Sequence, residues 1–327
     1  MKNLQVRIRK AFDGAPDPTD FELIETEAPT PGKGEILCRS RWLSLDSALD
    51  RLHAGEGPPV RPAHVMPARA ICEVIESRNE IFNTGDVVVM EAGMQHYCVS
   101  DGVHVHRART GSAPISTALG VMGIPGLAAY CGLLDLAQIK PGETVLISGA
   151  AGPVGSMAGQ IARIKACKVI GIAGNREESS WCVKEAHFNS CINHRGEPLE
   201  QRLRQVAPKG VDVYFDTVDG AVLDAVMTGK HLALNGRIVL GAPISRYGEA
   251  APALNLQPLV GAHARVLPLV VQDHEHRRDT FLKDAIAWFA EGHLRYREDI
   301  VDGLSNAPAQ LCKLARGEGF GKSLVKT

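Results

Sequence analysis

Thr144-Val-Leu-Ile-Ser-Gly-Ala-Ala-Gly-Pro-Val-Gly155 constrains this chain more than any other stretch. Val145 to Ile147 form a short apolar run without alternation, the pattern of a strand buried on both faces of a parallel sheet. Gly149, Gly152 and Gly155 follow at three-residue spacing, and the apolar pattern then becomes helical through Met157, Ile161 and Ile164. Pro153 suits the first helical turn, where a missing N–H costs nothing. A strand, a glycine turn and a helix let backbone approach a pyrophosphate whose charge the helix N-terminus stabilises. Glycine clusters also mark ordinary turns, but a second strand at Lys168 to Ile172 arrives where a βαβ unit needs it. The stretch therefore predicts a dinucleotide cradle at Gly149, Ala151, Gly152, Pro153, Val154 and Gly155.

The 327 residues suffice for two domains with separate cores. With 36 basic against 37 acidic residues, no global field favours nucleic acid or an anionic membrane as partner. The N-terminus lacks the apolar core of a signal peptide, and no 18-residue apolar span follows, so a cytoplasmic location is expected. Eight scattered cysteines without a Cys-x-x-Cys pair argue against a structural zinc cluster and a disulfide framework. Among the histidines, His104 and His106 flank Val105 in an alternating segment and are expected on one strand face. His274 and His276 sit in a charged stretch, and neither pair has a third ligand nearby in sequence, so no metal is expected.

Residues 1–122 read as short strands punctuated by Gly and Pro, the texture of a partly open barrel. Strands are expected at Phe21–Glu25, Glu35–Ser44, Ala70–Glu76, Val87–Met90, Gln95–Val99 and Val103–Val105, with a loop at His53–Pro67. From residue 123 the texture changes. A helix over Gly123–Leu134 leads to strands near Thr144–Ser148, Lys168–Ile172, Ser190–Asn193, Val211–Asp216 and Arg237–Leu240, alternating with helices. That order predicts a doubly wound parallel α/β sheet, followed by a strand near Val266–Val271 and a helix near Arg277–Glu291. The final segment, Ile300 to Thr327, returns to strand, short helix and strand, placed to complete the first domain.

An NAD site usually presents an acid to the adenosine ribose about 20 residues after the glycine turn. Here the second strand ends Gly174-Asn175-Arg176, with no carboxylate at its tip. Arg176 would welcome a 2′-phosphate, which favours NADP(H). Glu177 and Glu178, directly after, suit the first turn of the next helix.

Gly123-Ile-Pro-Gly-Leu-Ala-Ala-Tyr130, Lys140-Pro-Gly-Glu-Thr144, Gly149-Ala-Ala-Gly-Pro-Val-Gly-Ser156 and Gly236-Arg-Ile-Val-Leu-Gly-Ala-Pro-Ile-Ser-Arg-Tyr247 together resemble the zinc-independent medium-chain dehydrogenase/reductases. The likeness is greatest to the leukotriene B4 dehydrogenase/prostaglandin reductase branch, and Tyr296-Arg-Glu-Asp-Ile-Val-Asp-Gly-Leu304 with Gly321-Lys-Ser-Leu-Val325 fits it too. The resemblance implies a Rossmann domain at 123–295 and a GroES-like, partly open β-barrel catalytic domain from 1–122 and 296–327, often as a homodimer. It implies NADPH-dependent, zinc-independent hydride transfer to the β-carbon of an α,β-unsaturated ketone or aldehyde. It also puts His194, Arg195, Thr217, Gly241, Ala242, Ile244 and Gly319 against the cofactor, and Tyr247 where a phenol donates to the developing enolate or packs on the cofactor.

The chain departs from that pattern at several positions. Glu178 and His194 stand where the family has Lys and Tyr against the 2′-phosphate, and Gly319 where it has Asn. Arg176, His194 and Arg195 replace the charge, or the NADP preference is loosened. Asp216-Thr-Val-Asp-Gly220 replaces Asp-Asn-Val-Gly-Gly, and Ala48 replaces a pocket tyrosine. A quinone oxidoreductase on the same scaffold, or a nucleotide-binding protein with little catalysis, are the alternatives to an enone reductase.

Overall fold

The computed structural model describes residues 1–10, 15–46, 48, 62–218, 220–228, 231–241 and 257–327. The chain runs through β1 (Lys2–Ile8), β2 (Phe21–Glu27), β3 (Ile36–Ser44), β4 (Arg69–Ser77), β5 (Val87–Glu91), β6 (Tyr97–Ser100) and β7 (His106–Arg107). Helix α1 (Ile124–Tyr130) continues into a π-helical turn at Cys131–Leu136. Strand and helix then alternate: β8 (Thr144–Ile147), α2 (Pro153–Ile164), β9 (Lys168–Ala173), α3 (Arg176–Lys184), β10 (Ser190–Asn193), α4 (Leu199–Val206), β11 (Val211–Asp216), α5 (Gly220–Thr228) and β12 (Leu232–Leu240). After α6 (Gln257–Ala262) and β13 (Arg265–Pro268) come α7 (Arg278–Ala290), β14 (Glu298–Asp302), α8 (Ala307–Ala315) and β15 (Lys322–Lys326).

Two compact units result, one of Met1–Thr110, Pro114–Leu119 and Glu298–Thr327, the other of Gly111–Ala113 and Gly120–Arg297. The first is β-rich. Its main sheet runs β14-β15-β3-β4-β5-β7, with β6 also on β3, while β1 and β2 pair by themselves. The C-terminal strand is internal to that sheet, with Leu324 opposite Ser44 on β3 and Ile300 on β14. Lys322 is buried and donates to Ser44 Oγ at 2.7 Å and to the Asp46 carboxylate at 2.5 Å.

The second unit is a six-stranded parallel sheet in the order β10-β9-β8-β11-β12-β13 among the described residues. Numbered from β8, that order is 3-2-1-4-5-6, the doubly wound arrangement of dinucleotide-binding folds. Val145, Leu146 and Ile147 have no exposed surface, which explains their unalternating apolar run. The edge strand β13 is exposed along most of its length. Gly132 in the π turn lets the chain lie on the sheet, since a Cβ there would stand 2.5 Å from Phe215 Cε2.

Some expectations need correction. His104 sits in a turn with φ of 57°, so it shares no strand face with His106, which begins β7. The strand expected at Val266–Val271 ends at Pro268, and residues 271–277 coil as a 3-10 helix. The helix expected through Leu134 changes to π geometry at Cys131. β1 does carry an apolar alternation, Leu4, Val6 and Ile8, which the sequence reading passed over; what the sequence does not show is that Asn3 and Gln5 are buried as well. Asn3 donates to Gln95 Oε1 and the Tyr97 carbonyl, and Gln5 donates to Gln95 Oε1, so their burial is satisfied.

Candidate functional site

Strand order reverses between β8 and β11, and the crevice at the carboxyl ends of such strands is where a doubly wound sheet binds ligand. Both strands end in polar residues that are tied together. Asp216, almost fully buried, accepts hydrogen bonds on Oδ1 from Ser148 Oγ at 2.7 Å and from Tyr214 Oη at 2.6 Å. Ser148 Oγ accepts from the Thr217 N–H at 2.8 Å, and Thr217 Oγ1 donates to the Ser148 carbonyl at 3.0 Å. This latch holds the floor of the crevice. Sequence reasoning passed over Ser148 and Tyr214; the one available signal was a carboxylate closing an apolar parallel strand.

The glycine turn is shaped by close backbone approach. Gly149 has φ of 54°, and a Cβ on it would stand 2.5 Å from Thr217 Oγ1. A Cβ on Gly155 would meet the Gly149 carbonyl oxygen at 2.3 Å, so helix and turn are in backbone contact. Gly152 caps α2 with φ −74° and ψ 170° and brings no side chain to this helix end. Pro153 brings no N–H, and the first-turn N–H groups of Val154 and Gly155 have no partner within the helix. An uncapped helix start facing a strand crevice fits the pyrophosphate of a dinucleotide. Ala151 lies in the same turn and is buried.

At the end of β9 the geometry departs from the sequence expectation. A carboxylate does reach the strand tip, from the first turn of α3. Glu178 Oε2 accepts from the Gly174 N–H and Oε1 from Asn175 Nδ2, both at 2.8 Å, while the Glu178 N–H donates to Asn175 Oδ1 at 2.9 Å. Asn175 is the N-cap and Glu178 the third helical residue, a reciprocal arrangement readable from Asn-x-x-Glu. Glu177 lies 3.5 Å from Arg297. Arg176 and Arg195 are exposed, and the Arg195 guanidinium carbon is 4.0 Å from where a Gly174 Cβ would stand. His194 is half-buried after β10; burial, with Arg195 beside it, holds its imidazole below the ordinary histidine value.

Gly149, Ala151, Gly152, Pro153, Val154, Gly155 and Thr217 are thus gathered around one crevice, and Gly174, Asn175, Arg176 and Arg195 around the tip of β9. Gly241 follows β12, its N–H donating to the Asp216 carbonyl at 2.9 Å. Gly319 belongs to the other unit, between α8 and β15. Ala242, Ile244 and Tyr247 lie outside the described residues, as does Asp219. Ala48 is fully buried in the first unit.

His274 has potential metal-ligand neighbours that sequence spacing did not show. Cys131, Asp135 and His274 bring ligand atoms within 4.8 Å of one another. Arg277 holds both oxygens of Asp135, at 2.9 and 3.0 Å, and burial pushes the Cys131 thiol up to about 12. A cation at this junction would have to displace a guanidinium and a proton.

Strand order, glycine turn and uncapped helix define a Rossmann-type dinucleotide-binding unit, joined in one chain to a β-rich partner. Residues 4–108 match a family model described as the N-terminal domain of oxidoreductase, and residues 153–291 one described as zinc-binding dehydrogenase. NADPH-dependent curcumin reductase of Escherichia coli K12 is 36% identical over 326 residues, covering 96% of this chain and 93% of that protein. Prostaglandin reductase 1 of Bos taurus is 35% identical over 328 residues, covering 98% and 97%. The crystal structure of CurA from Vibrio vulnificus in complex with NADPH has a TM-score of 0.89 at 36% identity, covering 99% of each chain. The chain belongs to the medium-chain dehydrogenase/reductases, in the branch of the prostaglandin and curcumin reductases.

Proposed function

We propose that this protein is an NADPH-dependent reductase of the carbon–carbon double bond of α,β-unsaturated ketones and aldehydes, working without zinc. The uncapped glycine turn at the sheet's switch point, in a chain matched end to end by reductases of this class, carries the reading. Residues 123–295 serve as the nucleotide-binding domain, and 1–122 with 296–327 as the catalytic domain. When bound, NADPH supplies the hydride that adds to the substrate's β-carbon.

The chain's own residues then have separable tasks. Gly149, Ala151, Gly152, Pro153, Val154 and Gly155 receive the pyrophosphate, and Thr217, Gly241, Ala242, Ile244 and Gly319 are assigned to the rest of the cofactor. Gly174, Asn175, Arg176, His194 and Arg195 face the adenosine ribose. Negative charge moves onto the substrate carbonyl oxygen during reduction, so a donor aimed there stabilises the transition state more than the ground state. Tyr247 is assigned that hydrogen bond, and a phenol also fits proton delivery to the α-carbon. With this donor no Lewis acid is required, consistent with a sequence that lacks the Gly-His-Glu motif and four-cysteine lobe of the zinc enzymes.

The test is NADPH oxidation by purified protein with a panel of enones, alkenals and quinones, before and after chelation. Enone turnover that survives chelation is expected; turnover of quinones alone, or loss on chelation, overturns the reading. Tyr247→Phe is expected to lower kcat by about ten- to a hundredfold while NADPH affinity changes by less than about twofold. Equal kcat for variant and wild type removes Tyr247 from the mechanism.

Eight cysteines without disulfide partners fit a reducing compartment such as the cytoplasm. We assign the assembly as a homodimer through the edge of β13 that pairs with no strand among the described residues, where Val266 is exposed and Val260 and Val270 add apolar surface. An unpaired edge of this kind is a template for a second copy of the same strand. Light scattering should give twice the chain mass, falling to one for Val266→Asp; a monomeric wild type rejects the assignment.

A further inference from the structure

A doubly wound site distinguishes the two nicotinamide nucleotides at the end of its second strand, where an acid takes the ribose 2′-hydroxyl or a basic group takes the 2′-phosphate. In this chain the end of β9 offers two neutral donors, the Gly174 N–H and Asn175 Nδ2, and Glu178 occupies both at 2.8 Å. Glu178 is itself fixed through its N–H to Asn175 Oδ1 at 2.9 Å, so its carboxylate is held at the tip from both ends of the residue. Its Oε2 stands 3.4 Å from the point a Gly174 Cβ would occupy. An incoming phosphate would meet a negative group where it needs donors. A ribose hydroxyl, in contrast, can donate to that carboxylate.

The surrounding charges do not reverse this. Arg176 and Arg195 offer cations, both on exposed side chains where solvent weakens their pull. His194, half-buried and held below the ordinary histidine value, adds no charge at neutral pH. Glu177 on the same turn is exposed and faces Arg297 at 3.5 Å, so its charge is offset there and weighs on neither side.

We propose that Glu178 fills this chain's 2′-phosphate subsite with its own carboxylate, so that a nucleotide with a free 2′-hydroxyl binds nearly as tightly as one with a 2′-phosphate. The proposal rests on the nucleotide-binding reading above and makes the enzyme a dual user of NADPH and NADH. The phosphorylated cofactor is retained by Arg176 and Arg195. The neighbouring acid offsets their contribution.

The test is calorimetric titration of the full chain with 2′,5′-ADP and 5′-ADP, which carry the adenosine end but no nicotinamide, paired with fluorescence titration of NADPH and NADH. In the wild type the 2′-phosphate should improve affinity by less than about tenfold, and Glu178→Gln should widen that preference by about tenfold or more. Glu178→Lys should widen it further. A wild-type preference above about tenfold overturns the proposal, as does a preference that neither variant changes. Should either variant melt early because the turn has lost its cap, the wild-type ratio decides alone. If none of the four nucleotides binds, it is the nucleotide-binding reading that fails, a result distinct from tight and exclusive NADPH binding.

Discussion

Two glycines of one turn should fail in different ways when a methyl group is added. At Gly155 the new Cβ would lie 2.3 Å from the Gly149 carbonyl oxygen, 2.8 Å from its carbonyl carbon and 3.0 Å from Ala150 Cα. All three neighbours are backbone, so no rotamer change relieves the clash, and α2 must back away from the turn by roughly 1 Å to restore normal contact. With no rotamer to relieve it, overpacking of this kind costs about 2–3 kcal/mol, of which replacing glycine by alanine within a helix returns about 1 kcal/mol. The net loss of about 1–2 kcal/mol lowers Tm by about 3–6 °C for a unit of this size. At Gly152 the backbone already has φ of −74°, open to any residue, and the added Cβ meets only the Gly149 carbonyl oxygen at 3.1 Å. Gly152→Ala should therefore keep Tm within about 2 °C of wild type. Its methyl group instead stands where a pyrophosphate approaches the backbone, so NADPH affinity should fall by about tenfold or more. Gly155→Ala should lose both stability and affinity, because the helix start that meets the phosphates has moved. Differential scanning fluorimetry without nucleotide and fluorescence titration with NADPH separate the two. A wild-type Tm for Gly155→Ala, or equal destabilisation by both variants, refutes the division of labour.

Two more outcomes follow from buried carboxylates. Asp216→Ala removes the acceptor shared by Ser148 and Tyr214 and should cost about 2–4 kcal/mol in urea unfolding, while Asp216→Asn, which keeps an acceptor oxygen, should cost less. Equal losses would mean that the latch works through charge rather than hydrogen bonding. Glu298 is held above the ordinary 4.5 by burial, against the smaller opposing effects of Ser116 and Lys322, and its Oε1 is buried without a partner among the described residues. The folded state thus binds this proton more tightly than the unfolded chain does, so the group's contribution to stability falls as pH rises from 4.5 through its raised folded value. Glu298→Gln should raise Tm at pH 7, with the gain vanishing below the unfolded value near 4.5; a gain that persists in acid points to another cause.

The second unit was legible in the sequence because its physics is local and repetitive. Strands β8 and β11 fell within a residue of where their apolar residues put them, since a strand covered on both faces has no reason to alternate. The glycine spacing likewise located the turn, as each glycine answers to a nearby backbone contact. What escaped depended on partners far along the chain. The burial of Asn3 and Gln5 on β1 depends on polar partners at residues 95 and 97. The grouping of His274 with Cys131 and Asp135 joins segments separated by most of the second unit. Glu178 was read as a helix-dipole acid, which its place in the first turn of α3 allows. The resemblance marks Glu178 as a departure at the 2′-phosphate, while its turn back to Gly174 is written in Asn175-x-x-Glu178, a local pattern that the sequence reading did not use.

The internal position of β15 has a consequence for how the molecule is made. On the ribosome, β3 and β4 emerge early and β6 soon covers the Ile36–Arg39 part of β3's other edge, yet the neighbour of Trp42–Ser44 is not synthesised until residues 322–326. The α/β unit, nearly continuous between residues 120 and 297, can close while the first unit still waits. Loss of the last few residues would therefore leave a half-built sheet with an open seam, a species exposed to wrong pairing rather than one with a trimmed tail.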